Sequence, residues 1–140
     1  VDMSAHPSQI PSLVKEMGDG SDLVIASRYL AGSKFTYDLV RFFLSKAYNY
    51  LVRLTTGLNI SDTQCGFKAF KKEMFLSIEK DVISNSFAFD VDLLLNSIKH
   101  GYKIREGPIE WHQVKETSLH IRDIPVMFFD LIEMRKRVFN

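Results

Sequence analysis

Leu23-Val24-Ile25-Ala26 is an unbroken apolar run between the glycines at 18 and 20 and a polar Ser27-Arg28-Tyr29. So short a run, bounded by glycine and rich in β-formers, suits a strand buried on both faces, as in parallel sheets. The segment from Pro11 to about Met17 reads as a helix, with Pro11 in its first turn and Ser8 or Ser12 as cap. Gly18 and Gly20 stop it. Helix followed by buried strand predicts an α/β fold. In such sheets functional groups gather at the strands' carboxyl ends, which draws attention to Ser27, Arg28 and Tyr29.

The rest of the chain continues this alternation. Ala31 to Lys34 reads as a loop and Thr36 to Thr56 as a long helix, its apolar stripe carried by Leu39, Phe42, Phe43, Tyr50, Leu51 and Leu54 and its end marked by Gly57. Asn59 to Gly66 is a polar loop. Phe67 to Phe70 suits a short strand, Lys71 to about Glu79 a short helix, and Phe87 to His100 a further helix stopped by Gly101. Lys103 to Trp111 contains Pro108 and is expected to be a strand near an edge. Ile121 to Phe139 is a final helix, capped by Asp123, with Pro125 in its first turn and Arg135-Lys136-Arg137 at its end. Apolar bulk with a basic terminus fits either a helix lying on a bilayer or one packed on the domain or a partner chain.

Composition excludes several classes. With 46% hydrophobic and 25% charged residues the chain has the material for a core and too little charge for disorder. A net charge of +1 gives no general attraction for nucleic acid. The single cysteine, Cys65, permits neither an internal disulfide nor a cysteine-based zinc site, and fits a reducing, cytosol-facing setting. The four histidines have no metal-ligand spacing. No apolar run reaches the roughly 18 residues a membrane span requires.

Several groupings carry potential chemistry. Asp2 stands before Met3-Ser4-Ala5-His6-Pro7; alone it is an ordinary surface or capping residue. Arg28 at a strand end offers five donors in a rigid fork suited to phosphate, or an ordinary salt bridge. Arg41 and Ser45 are four residues apart, so they share one helical face, solvated or functional. Ser61-Asp62-Thr63-Gln64-Cys65-Gly66-Phe67-Lys68 joins an acid, a glycine that permits close backbone approach, and a cation. Cys65 there suits a small buried residue better than a nucleophile. Phe89-Asp90-Val91-Asp92-Leu93-Leu94 places two acids in a helix's first turn, where the helix dipole alone would favour them. Ile109-Glu110-Trp111 leads into a polar stretch containing Lys115 and Ser118.

Taken in order, these segments resemble the family 2 glycosyltransferases that transfer a hexose to a polyprenyl (dolichol-type) phosphate. The opening is similar to the second half of that family's Asp-x-Asp-x-x-x-His-Pro segment, and Asp62 to Lys68 to its Asp-x-x-x-Gly-Phe-Arg/Lys segment, in the Gln-Cys-Gly-Phe-Lys form of the dolichyl-phosphate glucosyltransferase branch. The resemblance implies the C-terminal half of a GT-A fold: a mixed α/β sheet with flanking helices, residues 1–120, and an amphipathic juxtamembrane helix, residues 121–140. The first metal aspartate and the nucleotide-binding strands would lie upstream of Val1. The implied reaction is inverting transfer from a nucleoside-diphosphate sugar, UDP-glucose by the Gln-Cys-Gly-Phe-Lys likeness. Asp2 would hold Mg²⁺ or Mn²⁺ against the diphosphate, with Ser4 where some relatives carry a further ligand such as Gln. Arg28, Arg41 and Ser45 would hold the lipid phosphate, and Lys68, in place of the family's more frequent Arg, would join them in binding donor or acceptor phosphate. Asp62 would sit between donor and acceptor as the catalytic carboxylate, and Lys115 and Ser118 would belong to a loop over the substrate. The partners implied are a membrane surface at the cytoplasmic face and, for half a sheet with an open edge, self-association. Without the upstream half, weak donor binding and no transfer are expected. Two other readings stay open: a family 2 enzyme with a sugar or polysaccharide acceptor, and a non-catalytic interaction fragment.

Overall fold

The computed structural model describes residues 5–18, 20–36, 39–84, 88–112 and 124–140, with the backbone alone at 35, 36, 41 and 124. It is an α/β structure: α1 (Ile10–Met17), β1 (Leu23–Ser27), β2 (Lys34–Thr36), α2 (Leu39–Thr56), β3 (Lys68–Phe70), α3 (Lys72–Ile78), α4 (Phe89–Lys99), β4 (Ile104–Pro108), β5 (Glu110–His112) and α5 (Ile124–Phe139).

β1 is the centre. It pairs with β4 in parallel and with β3 antiparallel, giving a mixed sheet in the order β3-β1-β4. Successive side chains of a strand point to opposite faces. All five residues of β1 are fully buried, so both faces are covered. Burial of Leu23, Val24 and Ile25 stabilises the fold by about 1.5–3 kcal/mol each. α1 lies against all three strands. Gly107 of β4 permits that approach, since a Cβ built there would come within 3.2 Å of the Glu16 side chain.

Two expectations about boundaries change. Ala31 to Ser33 is the expected loop, but Lys34, its expected last residue, and Thr36, the expected first residue of the long helix, belong to β2, which pairs in parallel with β5, and α2 begins at Leu39. Lys103 to Trp111, expected as one strand, divides at Ile109 between two sheets. The Ser33 hydroxyl explains the division: it donates to the Ser27 carbonyl and accepts from the Ile109 N–H, turning the chain from one sheet to the other. A third change concerns α1, whose N-cap is Gln9 with no side-chain capping bond; neither Ser8 nor Ser12 serves. A 3-10 turn, Pro7–Gln9, leads into it instead. The Gln9 amide meanwhile exchanges two hydrogen bonds of 2.8 Å with the Glu110 backbone, holding this turn beside β5.

α2 and α4 end at Gly57 and Gly101, both at φ 79°, a left-handed conformation that glycine adopts without a side-chain penalty. α5 packs on α2 and α4 through Met127, Leu131, Met134 and Val138, the stripe expected of a helix docked on one face. Its basic end, Arg135-Lys136-Arg137, is exposed, but two of its side chains reach the domain: Arg135 donates to the Thr55 carbonyl at the end of α2, and Arg137 pairs with the buried Asp92 of α4 at 2.5 Å. The Asp123 cap expected for α5 lies outside the described residues.

Candidate active site

The carboxyl end of β1 is where separate segments meet. The Asp62 carboxylate, almost fully buried, accepts three hydrogen bonds from Arg28: from Nε at 2.6 Å and the backbone N–H at 3.1 Å on one oxygen, and from NH2 at 2.8 Å on the other. This two-pronged geometry is the strongest form of carboxylate recognition available to a side chain. Burial works against the Arg28 charge, but the Asp62 hydrogen bond and charge outweigh it and raise the Arg28 pKa further. Arg28 is also within cation–π range of two rings, its Cζ 5.2 Å from the Trp111 ring centre and 5.7 Å from that of Tyr29.

Tyr29 turns to α2, where its hydroxyl and the Ser45 hydroxyl are 2.7 Å apart. Lys46, the next residue on the helix, sets its ammonium 3.5 Å from the centre of the Tyr29 ring. Arg41 lies one turn before Ser45 on the same helix; its side chain is outside the described atoms.

The loop bearing Asp62 is held from two sides. Asn49, buried on α2 one turn after Ser45, donates to the carbonyls of Ile60 at 3.3 Å and Ser61 at 2.5 Å and accepts from the backbone and hydroxyl of Thr63 at 3.1 and 2.7 Å. Glu106 of β4 accepts from the backbone N–H groups of Ser61 and Asp62 at 2.9 and 3.3 Å. The sequence reading missed both residues. Asn49 had a signal, since Arg41, Ser45 and Asn49 repeat at four-residue spacing along one face. Glu106, an acid in a short strand, had none.

The remaining sequence candidates sort by place. Lys68, nearly buried, directs its ammonium to Asp90 at 2.5 Å and to the Cys65 carbonyl at 2.6 Å, closing the loop from beneath. Cys65 is fully buried, as its small apolar role requires, and burial followed by the Asp62 charge pushes its thiol up to about 12. Among the described residues no atom lies within 4 Å of a Cβ built at Gly66, so no close backbone approach is seen there. Asp92 is more than a first-turn acid. Wholly buried, it accepts from the backbone of Ile83 and Ser84, from Asn96 and from Arg137. Asp2, Lys115 and Ser118 lie outside the described residues. Among the described residues no three His, Cys, Asp or Glu side chains converge to hold a metal ion. A cleft lined by Met17, Gly20, Ser21, Lys103, Ile104 and Arg105 opens at the amino ends of β1 and β4, away from Arg28.

Comparison with known proteins gives this junction a context. The chain is 31% identical over 125 residues to "Glycosyltransferase AglD" of Haloferax volcanii, covering 88% of this chain and 20% of that protein. It is 31% identical over 110 residues to "Polyprenol monophosphomannose synthase" of Mycolicibacterium smegmatis, covering 77% of this chain and 42% of the relative. The chain is similar to part of each of these two glycosyltransferases. A third relative, "Undecaprenyl-phosphate mannosyltransferase" of Micrococcus luteus, is 33% identical over 77% of this chain and 45% of its own length. The chain thus spans less than half the length of each of these glycosyltransferase relatives. No family model matches it.

Proposed function

We propose that this chain is the acceptor-side half of a GT-A-type glycosyltransferase that moves a hexose from a nucleoside-diphosphate sugar to a polyprenyl phosphate. One observation carries the reading: the consecutive residues Arg28 and Tyr29 are bonded, respectively, to Asp62 and Ser45, which come from separate loop and helix segments. Such an arrangement gathers phosphate donors at a strand's carboxyl end, where α/β sheets bind ligands.

In this reading Arg28, Arg41 and Ser45 orient the acceptor phosphate. An acceptor oxygen attacks the anomeric carbon, and the bond from that carbon to the diphosphate oxygen breaks, its electron pair leaving with the diphosphate. A phosphate is already ionised at neutral pH, so Asp62 need not remove a proton. It fixes the Arg28 fork and the loop beside the reacting sugar, and Lys68 steadies that loop from below. The chemistry is thus orientation and charge stabilisation. Asp2 would hold Mg²⁺ or Mn²⁺, hard cations suited to a carboxylate, and the metal would neutralise the leaving diphosphate. The Gln9–Glu110 bonds hold Gln9, seven residues after Asp2 in sequence, alongside the strand that carries Trp111. Lys115 and Ser118, which follow that strand in sequence, are proposed to close over the substrate.

For the sugar, Gln64-Cys65-Gly66-Phe67-Lys68 favours glucose, and the names of two relatives favour mannose. A membrane-surface position at the cytoplasmic face completes the proposal. Among the described residues no helix is long and apolar enough to cross a membrane. α2 packs on α5, and the exposed Leu39, Val40 and Phe43 of α2 and Val126 and Phe129 of α5 supply apolar side chains fit for a lipid surface.

The deciding experiment is a transfer assay with the full-length protein, polyprenyl phosphate, and UDP-glucose or GDP-mannose, with and without divalent metal. Metal-dependent formation of a polyprenyl-phosphate hexose is expected. Transfer to a sugar acceptor in its place would overturn the lipid reading.

A further inference from the structure

The electrostatics at the end of β1 are not those of a free Arg28. Arg28 is matched by the Asp62 carboxylate, so the pair carries no net charge. A site that binds an anion at this point needs a cation elsewhere. Lys46 fits. Its side chain is exposed, its ammonium rests 3.5 Å from the centre of the Tyr29 ring and 5.8 Å from that of Phe42, and it forms no ion pair with a carboxylate among the described residues. An ammonium on an aromatic face is held in place electrostatically, yet keeps its charge and its N–H donors for a third group.

Helix geometry alone would not bring Lys46 to the site, because adjacent residues on a helix point about 100° apart. Tyr29 removes that separation. Its hydroxyl reaches Ser45 and its ring lies under Lys46, so one side chain at the strand end gathers donors from two neighbouring helical faces.

We propose that Lys46 is a phosphate-binding cation of this site, placed by the Tyr29 ring and supplying the positive charge that Asp62 cancels on Arg28. This rests on the function proposed above. The phosphate it meets belongs to the lipid acceptor or to the donor diphosphate, two sources with one chemistry.

The test uses the full-length protein with both substrates varied. Lys46→Met is expected to raise the KM for one phosphate-bearing substrate about tenfold, the scale of one charge-assisted hydrogen bond, and to flatten the rise of that KM with added salt. Lys46→Arg should recover most of the loss. A rise confined to polyprenyl phosphate assigns Lys46 to the acceptor, and one confined to the sugar nucleotide assigns it to the donor; either upholds the proposal. Unchanged KM values for both, whatever happens to kcat, overturn it. If the wild-type protein transfers nothing to polyprenyl phosphate, the proposed function fails by itself. Lys46 is then judged by calorimetric titration with inorganic pyrophosphate: weaker binding by Lys46→Met upholds it, and equal binding overturns it.

Discussion

Asp62 and Arg28 satisfy and neutralise each other, the carboxylate taking both the fork and the backbone N–H of the arginine. A pair so little exposed loses more when one partner is removed than it contributes when intact, because the remaining charge is stranded. Asp62→Ala is therefore expected to destabilise the protein by about 3 kcal/mol, read as a lower urea midpoint, and to abolish transfer. Arg28→Lys retains the charge but loses the two-pronged geometry. It should keep most of the stability and reduce kcat/KM by roughly 100-fold.

Asn49 has its amide fully engaged with the Asp62 loop. Asn49→Ala leaves buried carbonyls and an N–H without partners, at a cost of about 2–3 kcal/mol. Asn49→Asp keeps the acceptor for Thr63 but sets an anion against the Ile60 and Ser61 carbonyls. It should be at least as damaging in chemical denaturation, a ranking that a solvated side chain at this position would not produce.

The Asp92–Arg137 pair links α4 to the last turn of α5. Arg137→Ala should leave Asp92 buried and short of its cation, lower stability by about 3 kcal/mol, and expose the end of α5 to proteases while the rest of the chain resists. Resistance of that end equal to the wild type would show that the apolar stripe alone secures the helix.

Cys65 provides a pH test. Its thiol is shifted from the ordinary value of 9.0 to about 12, chiefly by burial. Below pH 9 folded and unfolded chains both hold the proton, and this contribution to stability is intact. As pH rises toward about 12 the unfolded chain releases its proton first, so stability falls across that window. A thiol reagent at pH 8 should leave Cys65 unmodified in the folded protein and label it fully in denaturant. Rapid labelling under native conditions would contradict its burial.

The exposed apolar side chains of α2 and α5 offer a membrane test. Phe43→Ser combined with Phe129→Ser removes two exposed rings and should leave the melting temperature nearly unchanged. Cosedimentation with anionic lipid vesicles should drop roughly tenfold or more. Undiminished binding would move the lipid-facing surface elsewhere.

What the sequence determined by itself was local or periodic. The glycine-bounded apolar run fixed β1 and its burial. Helical spacing placed Arg41 and Ser45 on one face, and glycines 57 and 101 marked the helix ends. These features were legible because each depends on neighbours within a few residues. Tertiary structure decided the partners. That Arg28 is neutralised by Asp62, 34 residues away, that Glu106 braces the same loop from 44 residues beyond it, and that Tyr29 joins two faces of α2 all depend on the sheet register and on where the loops land. The same holds for Arg135 and Arg137, whose contacts with a helix end and a buried acid no local pattern announced. Charge and spacing announce that a side chain needs a partner; only packing brings a particular one within hydrogen-bonding distance.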